Sequence, residues 1–367
     1  MAAATSVWIV VVIVVAAGVG GAGFFAGYEY RGSPAASPSA TVNATLSILG
    51  AGTLSVTFPA LANELVSQNP QYTAPAAAQT YEGSLDVTTA ITTLAAKADV
   101  AALADFRLAP SLLEPTYASY EVVFAQTQEV LLYNANYTTF DGINASNWGA
   151  KLVATTAAGG DARLGIWNAS TDPNGYNEIF SMMLQGELYG GTTSSIYGNF
   201  YAGAPGDFAN PNPATTILEH ESQAASLVET GVVSSVITYL PIAVQTTWPA
   251  YVHDVVFNPI VGLGANNSTA LSDYAALSTE ILDAAGGLSK VVPAPILFAA
   301  TVPSNAPNAA LGALFLNLLL SPQGSKFLAA DGWTPISPGW ADRPSAVPGP
   351  IAPDVTTLPS WAAPFLS

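Results

Sequence analysis

The chain sets short apolar runs that end in glycine against longer stretches with apolar positions at helical spacing. "ATLSILGAG" reads as a strand running into glycines. "LSVTFPALANELVSQNP" follows as a helix, with Phe58, Leu61 and Leu65 on one face. An extended segment, "QYTAPAAAQTY", leads to Gly83-Ser84 and a second helix, "SLDVTTAITTLAAK". "ADVAALAD" is a third, buried strand. Strand, glycine turn and helix in repetition predict an α/β architecture with a parallel sheet. Further apolar runs are "YEVVFAQTQEVLLYN", "ARLGIWN" and "EIFSMMLQGELYG". "GVVSSVITYL", "DVVFNPI" and "PILFAATVPSNAP" read as strands. "NAALGALFLNLLLSPQGSKFLAADG" reads as two helices split at Ser-Pro and stopped at Gly332. The proline-rich tail beyond it reads as irregular packing over the surface. No repeat with a period of about 20–50 residues is present.

Two of these helices start from a glycine and a hydroxyl residue, Gly52-Thr53 and Gly83-Ser84. A helix N-terminus offers free N–H groups and a positive dipole end to an anion. The hydroxyl residue is equally an N-cap. Two such starts at the ends of parallel strands converge on one crevice, where ligands of open α/β sheets bind. Further along, "TDPNGY" (residues 171–176) places Asp172 directly before a proline. Asp-Pro-Asn-Gly is turn chemistry, so locally Asp172 is either a turn former or a site carboxylate.

Composition narrows the field. Charged residues make up 9% of the 367, against about 25% in ordinary globular chains. The formal net charge is −17, with eight Lys plus Arg. Nucleic acid is excluded as a partner, because phosphate binding needs clustered cations. The absence of Cys removes disulfides, thiolate metal sites, a Cys nucleophile and a lipidated Cys anchor. The two histidines, His220 and His253, do not make a zinc site by themselves and read as surface or cap residues. "GLGANNSTALSD" lacks the third glycine of a dinucleotide fingerprint, and no G-x-S-x-G elbow or Ser-His-Asp order occurs. The chain therefore reads as a non-enzyme.

Residues 6–28 carry no charge, a length that crosses a bilayer. No Lys or Arg precedes them, which favours an uncleaved membrane anchor over a cleaved signal peptide. Residues 29–45, rich in Ser, Pro and Ala, read as a flexible tether. Six N-x-S/T sequons, starting at Asn43, Asn136, Asn144, Asn168, Asn266 and Asn267, fit a glycoprotein outside the cytoplasm.

An ordered set of stretches then resembles a known family, the substrate-binding proteins of archaeal-type molybdate/tungstate ABC transporters. The set comprises "GAGTLSVTFPALANEL", "YEGSLDVTTAI", "KADVAALADFRLAP", "YASYEVVFAQTQEVLLYN", "INASNWGAKL", "DPNGY", "LVETGVVSSVITYLPIAVQ", "ATVPSNAP" and "LLLSPQGSKFLAADGW". It covers most of residues 46–340. The resemblance implies a two-lobed α/β fold of the periplasmic-binding-protein type (type II), with the oxyanion held between the lobes. Lobe 1 would be residues 46–131 and 299–367, and lobe 2 residues 132–298. The crossover strands would lie near "VLLYN" and "FAATVPS". It also implies a monomer that delivers tungstate or molybdate, as cargo and not as a cofactor, to an ABC transporter permease.

Carried over by resemblance, Gly52-Thr53 matches the family's Gly-Ser, with the hydroxyl kept. Ser84 matches the serine of the second Gly-Ser, and Tyr239 a tyrosine that bonds the oxyanion. Asp172 matches an aspartate that coordinates the metal, and Asn174 replaces a cysteine that offers mainly its backbone amide. The second metal-bonding carboxylate is sought among Glu219, Glu221 and Glu229. Residues 221–229 read as one helix ending before Gly231, so Glu221 falls at the N-terminus, the end suited to an anion, and is preferred. A carboxylate beside a dianion is repulsive unless it bonds W(VI) or Mo(VI) directly as a hard oxygen donor. Sulfate accepts no such ligand and would be rejected. A binding protein for another anion (phosphate, sulfate or an organic acid) and an anchored surface protein without a transport role remain the competing readings.

Overall fold

The computed structural model describes residues 44–366 apart from 160–161, 202–211, 220–221 and 283–286. The apolar run expected as an anchor and the tether up to residue 43 lie outside them, as do His220 and Glu221. Among the described residues, no helix is long and apolar enough to cross a membrane.

Along the chain, β1 (Ile48–Ala51), α1 (Thr57–Gln68), β2 (Gln79–Glu82), α2 (Ser84–Thr92), β3 (Val100–Leu103) and β4 (Val122–Gln126) build the first lobe. Next come β5 (Glu129–Asn134), α3 (Trp148–Ala157), β6 (Leu164–Trp167), α4 (Pro173–Gly190), β7 (Thr215–Leu218), α5 (Ser222–Glu229), β8 (Ser235–Tyr239), α6 (Leu240–Gln245) and β9 (Val252–Val256). After a hairpin of β10 (Thr279–Leu282) and β11 (Leu288–Val291), the chain returns to the first lobe. There it forms β12 (Leu297–Thr301), α7 (Ala309–Leu320), α8 (Pro322–Ala330), β13 (Thr334–Ala341) and β14 (Val355–Thr357).

The first sheet has the order β14-β13-β4-β12-β3-β1-β2, with β1 parallel to both β2 and β3. β3 is buried along its whole length, as a strand covered on both faces must be. Parallel neighbours bring the C-terminal ends of β1 and β2 to one edge, and Gly52-Thr53 and Gly83-Ser84 follow those ends. α7 is apolar almost all round and lies in the core. The Ser-Pro break after it works as expected: Pro322 opens α8, and Ser321 Oγ accepts from the N–H groups of Gln323 and Gly324.

The second sheet has the order β9-β5-β8-β6-β7, with β6, β7 and β8 parallel and β5 antiparallel to β8. The C-terminal ends of β6, β7 and β8 therefore share one edge with the start of β5, and Glu129 stands opposite Tyr239. β4 and β5 are joined by Thr127-Gln128 alone, so the chain changes sheets there, and the expected divide after residue 131 falls inside β5. The return runs through residues 292–296, just before β12. The two crossings lie side by side, with Thr127 N donating to the Ile296 carbonyl at 3.1 Å.

The tail differs from the expectation of irregular packing. β14 adds a strand parallel to β13, and Ile351, Leu358 and Ala362 are buried. Alternating prolines hid this edge strand, because proline removes ladder donors and masks strand periodicity.

Candidate functional site

In the first lobe, Thr53 sits in a turn of 3-10 helix directly after β1, and Ser84 is the first residue of α2. Both are buried. Ser84 Oγ accepts from Ala104 N at 2.8 Å, so its own proton remains to be donated. In the second lobe, Asp172 is the N-cap of α4, with Oδ1 accepting from Asn174 N at 2.9 Å. Asp172 therefore does form the turn, with one oxygen capping the helix, and its carboxylate is also buried at the lobe boundary, so the turn role leaves room for a second one.

These pieces meet. Leu85 N, in the first turn of α2, donates to the Thr171 carbonyl at 3.1 Å across the boundary. A Cβ on Gly83 would collide with that carbonyl and touch Asp172 Cα, so only glycine lets α2 come this close. Tyr239 is buried at the end of β8, accepts from Asn177 Nδ2 at 3.1 Å, and stands edge-on to Phe298 of the first lobe at 5.6 Å. Asn174 comes into the group by its backbone only. Its carboxamide turns inward, with nitrogen donating to Glu129 Oε1 (2.8 Å) and oxygen accepting from Trp167 Nε1 (3.1 Å). Its N–H is the one that Asp172 caps.

The three candidates for a second carboxylate separate. Glu229 ends α5 near Asn134, whose Nδ2 donates to the Val228 carbonyl. Asn134 and Glu129 are the two ends of β5, about 17 Å apart at ~3.3 Å per residue, so Glu229 lies at the wrong end of the sheet. Glu219 follows β7 and accepts from Asn168 Nδ2 at 3.3 Å, in the loop beside the Asn168–Asp172 turn. Glu221 lies outside the described residues. The helix begins at Ser222, and Gly231 follows it with φ +73°.

Two carboxyls that local reading missed lie behind the site. Glu129 and Glu178 are fully buried, and each keeps one oxygen, Oε2, without a hydrogen-bond partner. Glu178 Oε1 accepts from Trp167 N (3.1 Å) and Tyr201 OH (2.6 Å). Burial pushes the Asp172 carboxyl up to about 7; the Asn174 N–H opposes this and the Asp86 charge adds to it. Burial drives Glu129 well above the usual range, against the nearby Ser181 hydroxyl and with the Asp172 charge. Glu178 is raised in the same way, first by burial. Among the described residues, no cation contributes to any of the three. A signal for them did exist: a Glu inside an apolar run of a chain with so few charges.

Beside this junction is a cavity of about 690 Å³, lined by Leu85, Thr88, Asp105, Arg107, Ser170 and Tyr176 among others. None of Thr53, Ser84, Asp172 and Tyr239 lines it. Thr88 and Thr92 already donate to carbonyls of α2, and the cavity holds none of the four residues that meet at the junction, so the junction is the candidate site. Among the described residues, no group of three His, Asp or Glu side chains is arranged to hold a metal ion.

The model of the bacterial extracellular solute-binding proteins matches residues 46–334, most of the chain and both lobes. The chain belongs to this family. Its relatives include a solute-binding protein of Petrotoga mobilis, 26% identical over 79% of this chain and 84% of that one. The molybdate/tungstate-binding protein WtpA of Pyrococcus abyssi is 28% identical over 77% and 82%. Among solved structures, the periplasmic molybdate-binding protein of Azotobacter vinelandii superposes with a TM-score of 0.54 at 15% identity, covering 79% of this chain and 98% of that one. At that identity the likeness shows the fold, a mixed α/β architecture in two lobes.

Proposed function

We propose that this family member captures tungstate or molybdate outside the cytoplasm, between its two lobes, and hands it to an ABC transporter permease. It acts as a monomer held at the membrane by residues 6–28. The observation that carries the reading is Asp172, a buried carboxylate at the lobe boundary beside the Gly83-Ser84 helix start, with no cation among the described residues to neutralise it. A carboxylate in that place is an obstacle to a simple anion and an asset to an oxyanion whose central atom accepts another oxygen. The relatives named for molybdate and tungstate support the same reading. Thr53, Ser84 and Tyr239 supply hydroxyls to the oxygens, with the Gly52 backbone nearby, and Asn174 acts through Asp172, whose Oδ1 accepts its N–H. Asp172 and Glu221 bond the metal.

Calorimetry with tungstate, molybdate, sulfate and phosphate at one pH tests it. Tungstate and molybdate should bind far more tightly than sulfate. Equal affinities would refute metal coordination, and a preference for phosphate would assign the cleft to another anion. Glu221→Gln should greatly weaken tungstate binding, while Glu229→Gln, at the far end of β5, should leave it unchanged.

A further inference from the structure

Asp105 follows β3 in the first lobe, and Tyr176 lies in the first turn of α4 in the second. The Tyr176 hydroxyl donates to Asp105 Oδ2 at 2.6 Å, in a buried contact across the boundary. Arg107 grips the same carboxylate, with Nε at 2.9 and 3.0 Å from its two oxygens and Nη2 at 2.6 Å from Oδ2. Its remaining arm, Nη1, donates to the Val292 carbonyl at 2.7 Å, where the chain returns to the first lobe. The guanidinium also lies 5.9 Å from the centre of the Tyr176 ring. One carboxylate thus ties together the first lobe, the helix that Asp172 caps, and the return crossing.

We propose that this Asp105–Arg107–Tyr176 network is a latch that holds the lobes in the closed arrangement and sets how fast bound oxyanion leaves. The second half of the proposal rests on the reading of the cleft given above. Tyr176 touches no oxyanion in this scheme and is a positioning residue. Its hydroxyl meets a charged acceptor away from water, where such bonds are strongest. Burial raises the Asp105 carboxyl but Arg107 outweighs it, so the group is held below its usual range and stays ionised. Burial keeps the Tyr176 hydroxyl protonated and able to donate. Opening the lobes breaks this bond and leaves Asp105 and Arg107 paired within the first lobe. The latch therefore opposes opening without opposing folding of either lobe.

Tyr176→Phe removes the hydroxyl and little else. Molybdate chased by excess tungstate, followed by tryptophan fluorescence, should dissociate roughly 10- to 100-fold faster from this variant, with association changed less than about twofold. Small-angle scattering without oxyanion should show a larger radius of gyration than the wild type. Tyr274→Phe, which removes another buried hydroxyl, bonded to the Ile260 carbonyl at 3.0 Å, should change neither quantity. An unchanged radius of gyration in Tyr176→Phe overturns the latch whatever the binding data. An expanded Tyr176→Phe, with a wild type that binds neither oxyanion, keeps the latch and removes the oxyanion reading.

Discussion

Glu121 and Glu129 stand on either side of the first crossing, both sealed from solvent, and they solve the problem of a buried carboxyl differently. Glu121 belongs to the first lobe. Neither of its oxygens has a hydrogen-bond partner, while its backbone N–H donates to Asp342 Oδ1 at 2.8 Å. Glu114 and Asp342 face it, with Asp105 further off. The nearby cation is the half-exposed Arg343, 2.8 Å from Glu114 and 3.5 Å from Asp342. Burial drives Glu121 well above the usual carboxylate range, and Asp342 and Glu114 add to it. Burial likewise pushes Glu114 up to about 7, with Asp342 raising and Arg343 opposing. Glu129, in the second lobe, has a donor in Asn174 and lies behind a junction lined by helix starts and hydroxyls. The first group is a store of protons inside a lobe. The second is wired, through Asn174 and the cap of α4, to the boundary between the lobes. Raised carboxyls alone do not identify a site; donors converging on the same place do.

Asp172→Ala should break the comparison most sharply. It should weaken tungstate binding by on the order of 100-fold or more, as removal of one partner from a buried charged contact does. Glu121→Gln should leave the affinity unchanged in the same calorimetric titration. A loss in both variants would erase the distinction between the groups.

Next in size is the pH dependence of stability. Glu121 and Glu114 have folded-state pKa values above their unfolded value, so the native state keeps protons that the unfolded chain releases. Stability from these groups is then full below about pH 4.5 and lost as pH rises towards and beyond 7. The slope is about 1.4 kcal/mol per pH unit for each retained proton. Thermal melts should show the wild type more stable at pH 5 than at pH 8. Glu121→Gln, which mimics the protonated form, should raise Tm at pH 8 and change it little at pH 5. An unchanged Tm at pH 8 in Glu121→Gln would mean that Glu121 carries no such cost in the wild type.

The smallest effect expected is on Ser84. Ser84→Ala removes one hydroxyl from an anion, a contact at the lower end of the roughly 1.5–3 kcal/mol of such bonds, and should weaken tungstate binding about tenfold by the same titration. A loss as large as that of Asp172→Ala would invert the ranking of coordination over hydrogen bonding.

What could be read from the sequence was what is local. Gly83-Ser84 and Asp172-Pro173 announce helix starts within a few residues, because capping and turn chemistry are short-range. Ordered resemblance then placed them on facing lobes. Glu129 and Glu178 stayed hidden, because a lone Glu in an apolar segment does not say what it will face once folded. Tyr176 lay inside a stretch that was singled out, yet its meaning rests on Asp105, 71 residues earlier. The lobe switch was displaced by a few residues because "VVFAQTQEVLLYN" is apolar on both sides, with only Thr127-Gln128 to mark the change.

The paired crossings have a mechanical consequence. Two strands bonded side by side, Thr127 to Ile296 and Gln126 to Leu297, form a narrow ribbon and not two loose strings. A ribbon flexes easily out of its plane and resists shear within it, because shear would slide one strand's bonds past the other's. The motion this favours for the second lobe is a swing like that of a door on two pins. Displacement in such a swing grows with distance from the pins. Solvent would enter the crevice from its outer lip, and a bound solute would leave by the same side.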